Sequence, residues 1–310
     1  MSSSPAHISA VSPAAPTTLG GRLITLAGDI KIQHTVFAMP WALLSAALAG
    51  RWFPGTLTIG KIGLVLICMV VARTVAMTMN RLLDAEMDAR NPRTARRAIP
   101  AGTLSRGFVI GITLLSCAAF VATCAAFEVF YHNPWPLCLA VPVLVFLSCY
   151  PLLKRFTRLC HYYLGMALAL APLCAWIAIT GKISLPPLIM FAAVLSWTAG
   201  FDIIYACQDY ESDLATGTFS IPAKLGIRRA LWVSRLTHAF CAAMLILLAI
   251  VVPQFSILYY CGAGFAIALL IAQQSLVTPS NLSKVNLAFF TINGVISLLL
   301  GALGILDLYR

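Results

Sequence analysis

The sequence predicts an all-α integral membrane protein with about nine transmembrane helices. Three observations carry this. Of the 310 residues, 60% are hydrophobic and only 10% are charged, with a mean hydropathy of +0.91; a soluble globular domain has roughly a quarter charged residues. The apolar residues come in stretches near the roughly twenty that cross a bilayer as helix. No alternating strand pattern competes with them, which argues against a transmembrane β-barrel.

The chain opens on "MSSSPAHISAVSPAAPTTLG", rich in Ser, Pro and Ala and free of Lys and Arg. It has neither the basic start nor the apolar centre of a signal peptide. Residues 1–21 are expected to be a disordered tail, because such a composition buries too little surface to order itself. Residues 22–310 are expected to form one transmembrane domain. Spans are predicted at about 32–50, 60–80, 108–128, 134–152, 161–180, 185–206, 231–251, 255–275 and 285–305.

Loop charge orients the chain. Loop 81–106 holds Arg81, Arg90, Arg93, Arg96, Arg97 and Arg106. Loop 153–160 holds Lys154, Arg155 and Arg158, and loop 207–230 holds Lys224, Arg228 and Arg229. The alternate loops hold only Arg51, Lys61 and Lys182. Positive charge stays cytoplasmic, so the N-terminus and the three basic loops are expected on the cytoplasmic side of an inner membrane. Basic loops orient almost any membrane protein, so the net charge of +11 points to no nucleic acid. No obligate protein partner is inferred.

The ten cysteines are scattered with no CxxC pair, which speaks against a disulfide framework or a thiolate metal site. They read as small apolar residues. His34 and His161 fall at cytoplasmic span ends and read best as polar helix-end residues, with a cavity-lining role as the other reading.

The acids are different. Of the ten, six fall in "NRLLDAEMD" (80–88) and "YACQDYESD" (205–213), the cytoplasmic ends of the second and sixth spans. Helical residues four apart share a face. Asn80, Asp84 and Asp88 therefore form one stripe, and Tyr205, Asp209 and Asp213 a second. Glu86 and Glu211 sit two residues off and point elsewhere. Arg73 lies seven residues before Asn80, and Asp202 seven before Asp209. Both are inside apolar spans, where a lipid-facing charge costs several kcal/mol. They either pair with each other as structural glue or line one cavity with the stripes.

Facing carboxylate pairs at a membrane surface make a poor catalytic dyad and a good divalent-metal cradle. Magnesium takes oxygen ligands, usually one or two carboxylates, and completes its shell with water and phosphate. A substrate with a diphosphate head and an apolar tail fits, its tail lying among the helices. The bland alternative is that the acids balance the basic loops; two copies at one membrane face favour the metal. Both stretches lead into loops that end in Ile-Pro before a Gly, which suggests two related halves with the site between them. A secondary transporter would place its ion site nearer the bilayer midplane. A lipid-binding scaffold would need neither stripe.

The two motifs, N-x-x-x-D-x-x-x-D and Y-x-x-x-D-x-x-x-D, resemble the signatures of the UbiA superfamily of intramembrane aromatic prenyltransferases. "YPLLKRFT" (150–157) is similar to the family's Y-x-x-x-K segment, and "NPRTARRAIPAG" to its basic segment after the first motif. The resemblance covers about residues 30–305. It implies a UbiA-type prenyltransferase fold of nine transmembrane helices around a central cavity, capped by cytoplasmic loops. It implies two Mg²⁺ ions, one held by Asn80, Asp84 and Asp88, the other by Asp209 and Asp213. Arg73 and Lys154 would reach the diphosphate, with Arg155 as helper. Tyr150 and Tyr205 would hydrogen-bond phosphate or shape the pocket, and Asp202 would face the aromatic acceptor.

The implied reaction moves a polyprenyl group from its diphosphate to the ring of a hydroxyaryl carboxylate, in ubiquinone or menaquinone synthesis. The allylic C–O bond ionises, and the ring carbon ortho to the hydroxyl attacks. Asp209 or Asp202 would deprotonate or hold the phenol, and the metals and Arg73 would neutralise the leaving group. Members acting on 4-hydroxybenzoate carry an Arg in an "R-x-D-K-P" run. Here the run reads "AGDIKIQHTVFAMPWALL", with Lys31 present and the Arg and Pro missing. "HTVFAMPWALL" and "GFDIIYACQD" are closer to the futalosine-route branch, whose acceptor would be a dihydroxynaphthoate. Both acceptors stay open.

Overall fold

The computed structural model describes residues 16–31 and 37–310. Most of the tail, residues 1–15, lies outside the described residues, as do residues 32–36 with His34. Helix α1 spans Leu19–Asp29, three residues into the expected tail; the Thr18 hydroxyl accepts from the Gly21 N–H at 3.1 Å and starts it. Helix α2 spans Met39–Trp52, with Pro40 in its first turn.

Helix α3 runs from Ile59 to Arg90. The expected span stopped at 80 and assigned Arg81 to a loop. The helix continues because 81–90 contains no Gly or Pro, and Leu, Ala, Glu, Met and Arg are good helix formers. Helices α4 (Arg106–Tyr131), α5 (Trp135–Leu153), α6 (Cys160–Thr180) and α7 (Leu185–Ala206) follow. After α7 the chain tightens into a 3₁₀ turn, Cys207–Asp209, before the short helices α8 (Tyr210–Thr216) and α9 (Ile221–Leu225). Helices α10 (Ile227–Val251) and α11 (Ile257–Leu276) lead to a π-helical turn, Leu287–Ile292, that opens α12 (Asn293–Tyr309).

Eight segments, built on α3–α7 and α10–α12, are long and apolar enough to cross a membrane. The remaining expected span corresponds to α2, whose 14 described residues are shorter. Lipid is the natural solvent for the outer faces, where Leu114, Leu115, Val141, Leu236 and Ile271 are each more than 60% exposed.

Packing closes one ring of helices, in which α2 meets α6, α6 meets α7, α7 meets α10, α10 meets α11, α11 meets α12 and α12 returns to α2. Its core holds Trp41, Leu44, Leu48, Trp176, Met190, Trp197 and Tyr259. The second group, α3, α4 and α5, packs on itself and reaches α6 through α3 and α5. The two loops that end in Ile-Pro before a Gly share a backbone feature. Gly102 (φ 72°) and Gly226 (φ 77°) take left-handed conformations just before α4 and α10, where a side chain would be strained.

Helices α6 and α7 touch through Gly165, where an added Cβ would lie 2.3 Å from the Leu195 carbonyl oxygen. Close backbone approach at small residues is how helices pack without water to drive them together. Gly165→Ala is expected to push α6 from α7 and cost about 1–3 kcal/mol, the usual penalty of overpacking. Gly111→Ala on α4, with open space around it, serves as the unchanged control, both read as melting temperature in detergent.

Candidate active site at the mouth of a central cavity

A cavity of about 480 Å³ lies among α3, α4, α5, α6 and α7. Its polar mouth gathers Asn80, Asp84 and Asp88 from α3, Lys154 from the end of α5, and Asp209 and Asp213 from the chain after α7. Its other end is apolar, lined by Val65, Phe127 and Ile177. Asp88 and Val65 are 23 residues apart on one helix, so the cavity runs roughly 35 Å along it.

Asp84 has no exposed surface. Its Oδ2 accepts from Lys154 Nζ at 2.6 Å and from Asn80 Nδ2 at 2.8 Å. Its Oδ1 is buried without a hydrogen-bond partner. Asp88 takes the Arg97 Nη1 on both oxygens, at 2.8 and 2.7 Å. Asp209 takes Arg93 in a two-pronged bridge, Nε at 2.8 Å and Nη2 at 2.7 Å, and Asn91 Nδ2 at 3.4 Å. Arg93 Nη1 also donates to the Tyr205 hydroxyl at 3.1 Å.

The first stripe is helical as its spacing implies, but the second is not one helix. Tyr205 belongs to α7, Asp209 ends the 3₁₀ turn, and Asp213 belongs to α8. All three still line the cavity. Glu86 faces out, 81% exposed and 3.9 Å from Arg106, and Glu211 is exposed.

Arg73 and Asp202 do not pair. Both line the cavity. Arg73 donates to the Lys31 carbonyl at 3.3 Å and keeps a buried Nε without a partner. Asp202 instead pairs with His161 Nδ1 at 2.7 Å. Tyr150 lines the cavity below Lys154. Arg155 does not: its guanidinium donates to the Leu83 carbonyl on α3, so it braces the helix that carries the first stripe.

Several groups escaped the sequence reading. Arg93 and Arg97 lie in "NPRTARRAIPAG", and the signal for them was the run itself, four residues apart after the first stripe. Asp29 at the end of α1 receives Arg81 Nε at 2.8 Å and the Ala98 N–H at 2.9 Å, so it ties α1, α3 and the basic loop together. Lys31 sits over the Phe290 ring at 4.9 Å. Burial, then Arg97, Arg81 and Arg93, hold its ammonium below the usual lysine range. His161, for which a polar helix-end role was favoured over a cavity-lining one, is buried near the start of α6 and lines the cavity.

Among the described residues no three His, Cys, Asp or Glu side chains gather as a metal site. The donor set is nonetheless one of hard oxygens, and the unpartnered Asp84 Oδ1 is one ligand atom to spare. A divalent ion here would draw the rest of its shell from phosphate and water.

A bundle of membrane-length helices around a cavity with a charged mouth and an apolar far end defines a class, that of intramembrane proteins with a central cavity. Residues 38–295 match the UbiA prenyltransferase family, and the chain belongs to that family. It is 32% identical over 210 residues to the 4-hydroxybenzoate octaprenyltransferase of Tolumonas auensis, covering 67% of this chain and 70% of that one. The apo structure of a UbiA homolog from Aeropyrum pernix K1 superposes with a TM-score of 0.80 at 29% identity, over 89% of this chain and 98% of that one. A UbiA homolog from Archaeoglobus fulgidus, bound to DMAPP and Mg²⁺, shares the fold with a TM-score of 0.69 at 19% identity, over 93% of this chain and 99% of that one.

Lys154 is the cation that offsets the buried Asp84. Lys154→Met is expected to cost about 3 kcal/mol, because it leaves a buried carboxylate uncompensated. Adding Asp84→Asn should restore most of that loss. A melting series of the two single variants and the double variant measures the coupling directly.

Proposed function

We propose that this chain is an aromatic polyprenyltransferase of respiratory quinone synthesis. It transfers a polyprenyl group from its diphosphate to the ring of a hydroxyaryl carboxylate. The observation that supports it most is the mouth: two acid clusters and the cations Arg73, Arg93, Arg97 and Lys154 over an apolar cavity. Curated relatives named 4-hydroxybenzoate octaprenyltransferase support the same reading.

Asn80, Asp84 and Asp88 on one side, and Asp209 and Asp213 on the other, would hold two Mg²⁺ ions. The Archaeoglobus homolog, which binds Mg²⁺ with an allylic diphosphate, supports a divalent ion here. Bound there, magnesium supplies Lewis-acid neutralisation of the leaving diphosphate.

The remaining work falls to this chain. Arg73 and Lys154 bind phosphate oxygens and stabilise the negative charge that grows as the allylic C–O bond breaks. Arg93 and Arg97 stand beside the same oxygens. The apolar walls keep water from the carbocation. Tyr205 and Phe289, with rings 4.2 Å apart, shape the wall beside the mouth. Asp202 faces the acceptor ring from about one turn before the end of α7, where its carboxylate receives the hydroxyl. The basic loops and the mouth face the cytoplasm, so both substrates arrive at the inner face of the cytoplasmic membrane.

Purified protein in membranes, given Mg²⁺ and a polyprenyl diphosphate, should convert 4-hydroxybenzoate or a dihydroxynaphthoate, offered in competition, to a product heavier by one prenyl chain. Mass spectrometry reads which ring is taken, and a product from neither sinks the assignment. Chelation should abolish turnover. Asp84→Asn and Asp209→Asn should each lower kcat at least about 100-fold, the scale seen when a charge-stabilising group is removed, with melting temperature showing that the variants fold.

A further inference from the structure

His161 is the second residue of α6 and is 3% exposed. Both ring nitrogens are engaged. Nδ1 lies 2.7 Å from Asp202 Oδ2 on α7, and Nε2 lies 3.2 Å from the backbone nitrogen of Ile221, the first residue of α9. A backbone N–H can only donate. Nε2 must therefore present its lone pair to Ile221, and the single ring proton must sit on Nδ1, donated to Asp202. A doubly protonated ring would set an N–H against the Ile221 N–H. The neighbours thus select one neutral tautomer, as a second hydrogen bond often does for histidine.

Two consequences follow for Asp202. Its negative charge is not shared with an imidazolium, and its Oδ2 is held in one place. Its Oδ1 has no hydrogen-bond partner among the described residues, on a side chain that is 17% exposed and lines the cavity. A carboxylate with one oxygen pinned and one facing the cavity accepts hydrogen bonds and repels anions. It suits the hydroxyl of an aromatic ring and not its carboxylate. Ile221 belongs to the polar segment that follows the second acid cluster, so the same imidazole links α6, α7 and that segment.

We propose that His161 is a positioning residue for the aromatic acceptor: in its Nδ1–H form it bridges the Ile221 backbone to Asp202 and holds the free Asp202 oxygen toward the acceptor hydroxyl. A phenol hydrogen-bonded to a carboxylate gains electron density at the ortho carbon, the carbon that attacks. This deepens the proposed transferase reading and rests on it.

The test compares His161→Gln, His161→Asn and His161→Leu. Glutamine carries an oxygen to accept from Ile221 and an NH₂ to donate to Asp202; asparagine is too short to reach both, and leucine does neither. His161→Gln should keep the acceptor kcat/KM within about threefold. His161→Leu and His161→Asn should lower it about tenfold or more, the worth of one lost hydrogen bond to a charged group. The KM for polyprenyl diphosphate should stay unchanged in all three. An acceptor whose hydroxyl is methylated should bind wild type and His161→Leu equally in calorimetry, since the group that Asp202 would receive is gone. If the leucine variant does not fold, the Gln and Asn pair decides. Equal behaviour of Gln and Asn, or a parallel loss for donor and acceptor, overturns the proposal and leaves His161 a packing residue. Absence of prenyl transfer by wild type would instead remove the transferase reading beneath it.

Discussion

The carboxylate of Asp84 has no contact with solvent and sits on a membrane-spanning helix. A charge in that position persists only if the protein itself replaces water around it. Lys154 and Asn80 do so for one oxygen. Much of the surrounding architecture follows from that requirement. The end of α5 must come within reach of α3 to deliver Lys154, and α3 must continue ten residues past its expected span for Asp84 and Asp88 to be helical at all.

The same constraint organises the loop after α3. Arg97 returns to Asp88, Arg93 crosses to Asp209, and the Ala98 N–H caps Asp29, itself bridged to Arg81. These contacts tie the loop to α3, to the turn after α7 and to α1, so the loop is folded by its charges more than by its small apolar cluster of Leu26, Ile30, Ala98, Leu104 and Val109. A loop held by ion pairs over a carboxylate-rich mouth is also one whose cations lie where a diphosphate would need them. On the proposed reading, folding and ligand recognition draw on the same residues here.

The fold class was legible because it depends on composition, and bilayer length converts composition into spans. The first acid stripe was legible for a similar reason: four-residue spacing maps onto a face wherever the chain stays helical. The second stripe was read as one helix and is broken by a 3₁₀ turn, a change of about half an ångström per residue in rise that no side-chain pattern announces. The partners were the least legible. Arg93 to Asp209 spans 116 residues and His161 to Asp202 spans 41; spacing within one helix says nothing about which helix is next to it. Spacing could not separate Arg155 from Lys154 for the same reason, since only the contact with the Leu83 carbonyl distinguishes the two neighbours.

The two groups of helices differ in how they are filled, and that difference bears on chemistry. The closed ring has its core around Trp41, Trp176 and Trp197, and Trp197 on α7 is fixed further by its indole N–H, which donates to Asn293 at 2.9 Å. Helix α7 also donates little to lipid, being the most buried of the membrane-crossing segments. It carries Asp202 and Tyr205, and Asp209 stands just after it. On the proposed reading, groups that must be placed closely are thus mounted on the most buried of these helices or just after it. The cavity opens toward α3, α4 and α5, whose outer faces meet lipid and whose inner faces bear Cys68, Phe120, Cys124 and Leu147. An apolar chain held there, as the proposed function requires, needs no directional contact, only exclusion of water, and these apolar inner faces supply that.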